Sequence, residues 1–386
     1  MKKKIAILGS TGSIGKTLLK IIGKNKKKFQ IELLSANKNI KTLLNQAKEF
    51  NVRNLIITDK NSYLKLKSMQ IRNINIYNNF NNLDIIFKKK IDYAMSSIIG
   101  LEGLKPTFNI IRFTKKIAIA NKESLICAWN LISKELKKFN TEFIPVDSEH
   151  FSVWFSLDKN LSQKIEKIYL TASGGPFLKK PLSGFNNISI KESLKHPNWK
   201  MGKKISIDSS TLMNKIYEVI EARNIFNISL SSINILIHPK SYIHSLIKFN
   251  NGIIKIIAHE TDMKIPIFNT LYNDQKNKIV SNSIDINKLN NPKFQTVDYK
   301  RYPSMKILKN ISDHLTLYET VIVAINDTLV ENFLNGRIKY QEIMMRLLFL
   351  MKNKEFLKYK KIIPNSINEI IDLNNYVRLR INSKNI

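Results

Sequence analysis

The chain has 386 residues, with 63 Lys and Arg against 30 Asp and Glu, a formal net charge of +33. A hydrophobic content of 43% over that length supports more than one buried core and excludes a disordered basic tail. The lysines lie in short scattered groups (Lys2 to Lys4, Lys26 to Lys28, Lys88 to Lys90) without a nucleic-acid motif, and no stretch approaches the ~20 apolar residues of a membrane span, so neither nucleic acid nor membrane is an expected partner.

In chain order, Ile5 to Leu8 reads as a short buried strand, followed by a glycine turn from Gly9 to Gly15 and an amphipathic helix carrying Leu18, Leu19, Ile21 and Ile22. Ile31 to Leu34, Asn54 to Thr58, Tyr93 to Ser97, Ile117 to Ala120 and Phe143 to Val146 continue the alternation of strands with helices, which predicts a doubly wound parallel sheet over the first 147 residues. Ile168 to Ala172, Ser232 to Ile237, Ser245 to Phe249 and Ile253 to Ala258 read as strands around a helix from Leu212 to Phe226, an α+β pattern. An Asn-rich stretch from Asn273 to Pro303 reads as a connector. The remainder is helical: Leu315 to Leu334, Tyr340 to Met351, and a last helix opened by a Ser366/Glu369 capping box. A single cysteine, Cys127, excludes an intramolecular disulfide and makes the cytoplasm the expected compartment. The apolar run before Gly9 is too short for a signal peptide. The abundance of Lys, Asn and Ile, whose codons are rich in A and T, assigns the charge to genomic base composition rather than to a polyanionic partner.

Four segments carry chemistry. Gly9-Ser-Thr-Gly12-Ser-Ile-Gly15 has the spacing G-x-x-G-x-x-G between a strand and a helix, which lets a pyrophosphate reach the helix N-terminus; a turn between packed elements is the alternative. The second strand ends in Ser35-Ala36-Asn37-Lys38-Asn39, with a cation and no carboxylate for ribose hydroxyls, which favours NADP over NAD. In Pro145-Val-Asp147-Ser148-Glu149-His150, an extended backbone points Asp147 and Glu149 to one side, where they can share a hard cation; a helix N-cap is the alternative. In the segment from Asp208 to Glu221, a helix places Asn214, Glu218 and Glu221 on one arc opposite Ile216, Val219 and Ile220, so that Glu218 is a third metal ligand or part of a solvated face. Finally, Ser173-Gly174-Gly175 offers backbone N–H groups to an anion, and His196 to Gly202 has the composition of a mobile lid.

Together these segments resemble the 1-deoxy-D-xylulose 5-phosphate reductoisomerase family: GSTGSIG at 9, NKES at 121, PVDSEH at 145, SGGPF at 173, HPNWKMGKKISIDSSTLMNK at 196, IEAR at 220, IHPKSYIHS at 237 and DMKIPI at 262. The likeness covers nearly the whole chain and is weakest after about residue 273. It implies an N-terminal Rossmann-like NADPH domain (1–147), a central α+β catalytic and dimerising domain (148–272), a linker (273–303) and a C-terminal helical bundle (304–386). It also implies a homodimer that converts a small phosphorylated sugar by rearrangement and reduction. Carried over by position, Asp147, Glu149 and Glu218 would bind Mg2+ or Mn2+. Lys122, Ser148, Ser173, His196, Ser209, Asn214, Lys215 and Glu218 would contact substrate, with Lys122, Asp147, Glu149 and Glu218 the catalytic set. Thr11, Gly12, Ser13, Ile14, Lys38, Asn39, Asn121, Glu123 and Gly202 would hold NADPH, and Trp199 and Met201 would lie on the closing flap. Three places depart from the family pattern: Asn37, where Gly is common; Ile216-Tyr217, where a smaller residue is usual; and Val321 to Asp327, in place of an Ala-rich run.

Two other readings compete. One is a plain NADP-dependent dehydrogenase of a small phosphorylated or semialdehyde substrate acting through a thiolate, for which Cys127 is the sole candidate nucleophile; its apolar neighbours mark it as core. The other is a basic nucleic-acid-binding protein, disfavoured for want of a motif.

Overall fold

The computed structural model describes residues 1–157, 164–199, 201–272 and 277–383. The first four residues of the expected connector, Asn273 to Lys276, lie outside the described residues, as does Lys200 within the His196 to Gly202 segment. The described chain falls into two compact units, and it passes between them more than once.

The first unit comprises Met1–Ser124, Ile132–Phe151 and Met263–Val280. Its seven strands are β1 (Lys3–Leu8), β2 (Phe29–Ala36), β3 (Asn54–Ile57), β4 (Asn75–Tyr77), β5 (Tyr93–Ser96), β6 (Lys116–Ile119) and β7 (Glu142–Pro145). They form one parallel sheet in the order β4-β3-β2-β1-β5-β6-β7. The order reverses between β1 and β5, and the carboxyl ends of strands at such a switch point form the ligand crevice of doubly wound sheets. β4 escapes sequence reading because it has three residues, none fully buried, at the sheet edge. The core under the sheet combines Ile5, Ile7, Leu34 and Met95 with Leu18 and Ile22 from the helix Ser13–Gly23. Ile267, Leu271 and Tyr272, in and just after the helix Lys264–Leu271, complete that core although they lie far downstream in sequence.

The second unit comprises Leu125–Leu131, Ser152–Asp262 and Ser281–Ile386. Strands β8 (Ile165–Ala172), β9 (Ile233–Ile237), β10 (Ile243–Phe249) and β11 (Ile254–Ala258) form a mixed sheet in the order β11-β10-β8-β9, with only β8 and β9 parallel. The helix Met213–Phe226 is buried almost all round, including Lys215, Glu218, Glu221 and Arg223. Its polar arc is therefore not a solvated face. The helix Leu317–Leu334 starts at a Thr316/Glu319 capping box, and the same Glu319 ion-pairs with the buried Arg223 at 2.8 Å. At the last helix, Ile367–Ser383, Ser366 Oγ accepts from Glu369 N–H as expected, while the Glu369 carboxylate accepts from Asn365 N–H rather than from Ser366.

Candidate functional site

In the first unit the glycine loop is shaped by close backbone approach at the switch point. Gly9 has φ +84°, and a Cβ there would sit 2.8 Å from the Ser97 carbonyl oxygen just after β5. A Cβ on Gly15 would lie 2.5 Å from Ser10 Cα. The loop is also tied to β2: Gly9 N–H donates to Ser35 Oγ at 2.9 Å and Ser10 N–H to the Ser35 carbonyl at 2.8 Å. Ser10 and the buried Gln46 exchange two further hydrogen bonds of 2.8 and 3.0 Å. Gly12 occupies the N-cap of Ser13–Gly23 without a side-chain cap, so the helix presents backbone donors beside Thr11, Gly12, Ser13 and Ile14.

Lys38 follows β2 with an exposed side chain, 3.8 Å from Asp59. Asn39 Oδ1 accepts from Thr42 N–H and caps the helix Ile40–Phe50. Asn37 donates to Thr58 Oγ1 at 2.9 Å, so the residue that replaces the usual Gly braces β2 to the end of β3.

Asn121 is 2% exposed, and its side chain is occupied internally: Nδ2 donates to the carbonyls of Ile98 (2.5 Å) and Gly100 (2.7 Å), and Oδ1 accepts from Ser124 N–H (2.8 Å). It thereby clamps the loop after β5 and caps the helix Lys122–Lys138, which begins with Lys122 and the buried Glu123. Lys122 Nζ lies 2.8 Å from Asp147 Oδ2, with the two side chains 10% and 16% exposed. Ser148 Oγ donates to Glu149 Oε2 at 2.5 Å. The extended geometry expected for Asp147 to Glu149 is corrected: β7 ends at Pro145, the helix Ser148–Ser156 has begun by Ser148, and Phe151 N–H already donates to the Asp147 carbonyl. The acids are presented by a helix start, where backbone N–H groups favour negative charge.

In the second unit, β8 runs into Ser173-Gly174-Gly175, whose glycines have φ +80° and +66°. Gly175 must be glycine twice over, because a Cβ would also lie 2.9 Å from Ser210 Cα and 3.0 Å from the Ser209 carbonyl oxygen. The two serine loops are therefore in backbone contact. Ser173 Oγ accepts from Gly175 N–H at 3.0 Å and lies 3.0 Å from His196 Nε2. His196 Nδ1 accepts from Asn198 N–H (3.2 Å) and Trp199 N–H (2.9 Å), which places the ring proton on Nε2, pointing at Ser173. With two donors on its oxygen, the Ser173 hydroxyl keeps its own proton to donate, which suits an anion.

Burial pushes His196 down from 6.5 to about 4. Because the folded value is depressed, the neutral ring stabilises the fold fully above pH 6.5, and that contribution is lost as pH falls through about 4. The urea midpoint should therefore drop between these limits, and more steeply in the wild type than in His196→Asn; identical slopes would show that His196 titrates freely.

Gly202 caps the helix Lys203–Ser210, which carries Ser209. A left-handed Leu212 (φ 61°) turns the chain into Met213–Phe226, on which Asn214 and Lys215 both donate to the Glu218 carboxylate. Glu218 is 1% and Lys215 4% exposed.

Sequence reasoning overlooked His244, which is buried, stacks on His259 with centroids 3.7 Å apart, and meets the Trp199 ring edge-on at 6.1 Å. Burial, with His259 adding to it, holds His244 well below 6.5. The motif at 237 contained the signal, but a lone histidine in a strand does not reveal its stacking partner. Ile216 and Tyr217, the pair where the family's segment usually begins with a smaller residue, are both fully buried, with Lys204 Nζ 5.0 Å from the Tyr217 ring centroid. Cys127 is fully buried in the core, which leaves the thiolate dehydrogenase without an accessible nucleophile.

Three family models match in order: 1-deoxy-D-xylulose 5-phosphate reductoisomerase over residues 5–129, its C-terminal domain over 143–226, and the DXP reductoisomerase C-terminal domain over 259–380. Over 387 aligned residues, spanning 100% of both proteins, the chain is 54% identical to the 1-deoxy-D-xylulose 5-phosphate reductoisomerase of Pelagibacter ubique. The chain belongs to the 1-deoxy-D-xylulose 5-phosphate reductoisomerase family. Another reductoisomerase, from Wolbachia pipientis wMel, is 38% identical, covering 96% of this chain and 95% of its own. The solved reductoisomerase of Zymomonas mobilis, in complex with NADPH, superposes with a TM-score of 0.87 at 31% identity, covering 100% of this chain and 99% of its own. A reductoisomerase in complex with NADPH, fosmidomycin and magnesium gives 0.90 at 29%, covering 99% and 98%.

Proposed function

We propose that the protein converts 1-deoxy-D-xylulose 5-phosphate to 2-C-methyl-D-erythritol 4-phosphate, using NADPH and a divalent cation, in non-mevalonate isoprenoid synthesis. The observation that carries this reading is the full-length 54% identity to the Pelagibacter reductoisomerase. The donor chemistry fits: carboxylates on two short segments are withdrawn from solvent in a chain with about half as many acids as bases, and all-oxygen ligands suit Mg2+ or Mn2+. Asp147, Glu149 and Glu218 are assigned to the metal.

When bound, the cation supplies Lewis acidity toward a ketone and its neighbouring hydroxyl, and NADPH supplies the hydride that reduces the branched aldehyde formed by rearrangement. The protein's own groups bind and orient. Lys122 ion-pairs with Asp147 and brings an ammonium beside the substrate's oxygens. Lys215 Nζ and Asn214 Nδ2 both donate to the Glu218 carboxylate and hold it in place. Ser173, Ser209, Asn214 and Lys215 are assigned to the phosphate, the Ser173 hydroxyl donating to it, and Ser148 and His196 to the rest of the substrate. Thr11, Gly12, Ser13 and Ile14 receive the pyrophosphate, with Lys38, Asn39, Glu123 and Gly202 along the cofactor. Asn121 contributes through its backbone, since its side chain is engaged within the fold. Trp199 and Met201 close over the site and exclude water.

Residues 1–147 are assigned to NADPH binding, 148–272 to catalysis and dimerisation, 273–303 to a linker and 304–386 to the helical domain. The test is direct: purified protein with NADPH, Mg2+ and 1-deoxy-D-xylulose 5-phosphate should consume NADPH at the nicotinamide absorbance band, and no oxidation with metal present would sink the reading.

A homodimer is supported by β11, the outer strand of its sheet, where Ile254 and Ile256 are 58% and 52% exposed. No described strand pairs with its outer side. An apolar edge of this kind invites pairing, and a second copy covers it. Light scattering should give a dimer mass that Ile256→Lys shifts toward the monomer; a monomeric wild type would contradict this assignment. No described helix is long and apolar enough to cross a membrane.

A further inference from the structure

Four buried polar side chains from residues 302–340 reach back, across 93 to 130 positions of sequence, to the two serine loops. Tyr302 OH donates to the Gly174 carbonyl at 2.6 Å. Ser304 Oγ donates to the Thr211 carbonyl at 2.8 Å. Asn326 Nδ2 donates to Asp208 Oδ1 at 2.8 Å, and Tyr340 OH donates to Ser210 Oγ at 3.1 Å. The acceptors are Gly174, Asp208, Ser210 and Thr211, each within two residues of Ser173 or Ser209.

The brace is reinforced by charge. Lys204 Nζ bridges Asp208 Oδ2 (2.9 Å) and Asp327 Oδ1 (3.1 Å), so one oxygen of the nearly buried Asp208 carboxylate is engaged by Asn326 and the other by Lys204, which Asp327 holds from its far side. Left-handed backbone at Gly174, Gly175 and Leu212 lies at or next to points where these bonds attach. Such conformations persist where surrounding contacts over-determine them. Tyr302, Ser304 and Asn326 are 1%, 0% and 0% exposed, so each bond is made away from competing water.

We propose that Tyr302, Ser304, Asn326 and Tyr340 are positioning residues for substrate phosphate: they fix the separation and orientation of the Ser173 and Ser209 loops without touching the ligand. This rests on the assignment of those loops to the phosphate. The run Val321 to Asp327, which departs from the family's Ala-rich pattern, thus ends in a pair, Asn326 and Asp327, that serves the site from the helix Leu317–Leu334.

The full-length protein carrying Tyr302→Phe, Ser304→Ala or both tests this, since each change removes one hydroxyl and almost no volume. KM for 1-deoxy-D-xylulose 5-phosphate should rise about five- to tenfold for each single change and multiplicatively for the pair, with KM for NADPH unchanged. Ser304→Thr, which keeps the hydroxyl, should restore the wild-type KM. Wild-type substrate KM in the double variant, or an equal rise in both KM values, would overturn the proposal. Should the double variant not fold, the single Tyr302→Phe and the Ser304→Thr rescue decide it by the same ratio of KM values. Failure of the functional reading appears differently, as no turnover by the wild type itself.

Discussion

Asp147→Asn is expected to lower kcat/KM by about a thousandfold while leaving the protein folded. The substitution preserves shape and removes the charge from one of the three carboxylates assigned to the cation, and losing ~4 kcal/mol of transition-state charge stabilisation costs about three decades in rate. It also leaves the Lys122 ammonium, now 2.8 Å from Asp147, beside a neutral amide with both groups largely withdrawn from water. Some loss of thermal stability should accompany the loss of activity. Activity alone would not separate a missing ligand from a displaced lysine. Thermal denaturation with and without Mn2+ does so, because a cation that binds only the folded state raises Tm. Wild-type Tm should climb with added Mn2+ and that of Asp147→Asn should not. An undiminished Mn2+ shift, or turnover near the wild-type level, would remove Asp147 from the metal site.

Gly175→Ala should destabilise the protein by about 2 to 4 kcal/mol and weaken substrate binding with it. The left-handed backbone at φ +66° costs ~1–2 kcal/mol for any residue with a Cβ, and the methyl group would in addition meet Ser210 Cα at 2.9 Å and the Ser209 carbonyl at 3.0 Å. Both obstacles are backbone atoms, so no rotamer change relieves them. Shifting either loop disturbs the Gly175 N–H bond that sets the Ser173 hydroxyl, which ties the stability loss to a rise in substrate KM. Gly202→Ala is the matched control, since nothing lies within 4 Å of its Cβ position and its φ is −66°. Urea unfolding should separate the two variants clearly. A Gly175→Ala midpoint equal to that of Gly202→Ala would mean that the serine loops separate freely.

The residues themselves pointed to two kinds of ligand. Gly9, Gly12 and Gly15, spaced three apart from the end of a strand into a helix, point to a phosphate turn because a Cβ is strained at Gly9 and meets backbone at Gly15, and two carboxylates around Ser148 in a lysine-rich chain point to a cation. The Asp147 to Glu149 segment was read with the wrong local geometry, since a short apolar run before it does not reveal that the helix begins at Ser148. The edge strand β4 was invisible because it buries nothing completely. For Glu218 the helical pattern left ligand and solvated face open, and the burial of Met213–Phe226 on nearly every side removes the solvated face.

By itself the sequence determined the doubly wound sheet and the NADP-type cofactor, because these depend on residue type at short spacing: backbone freedom at glycine, charge at the end of a strand, apolar periodicity in strands and helices; the family followed from the order of its motifs, and the candidate ligands are what that resemblance implies. Tertiary structure alone decided that Asn121 has no side-chain group left for the cofactor, that His196 is a neutral donor to Ser173, and that Tyr302, Ser304, Asn326 and Tyr340 hold the two serine loops. Burial and hydrogen-bond partners are set by which distant segments come to lie together, and no local pattern records that.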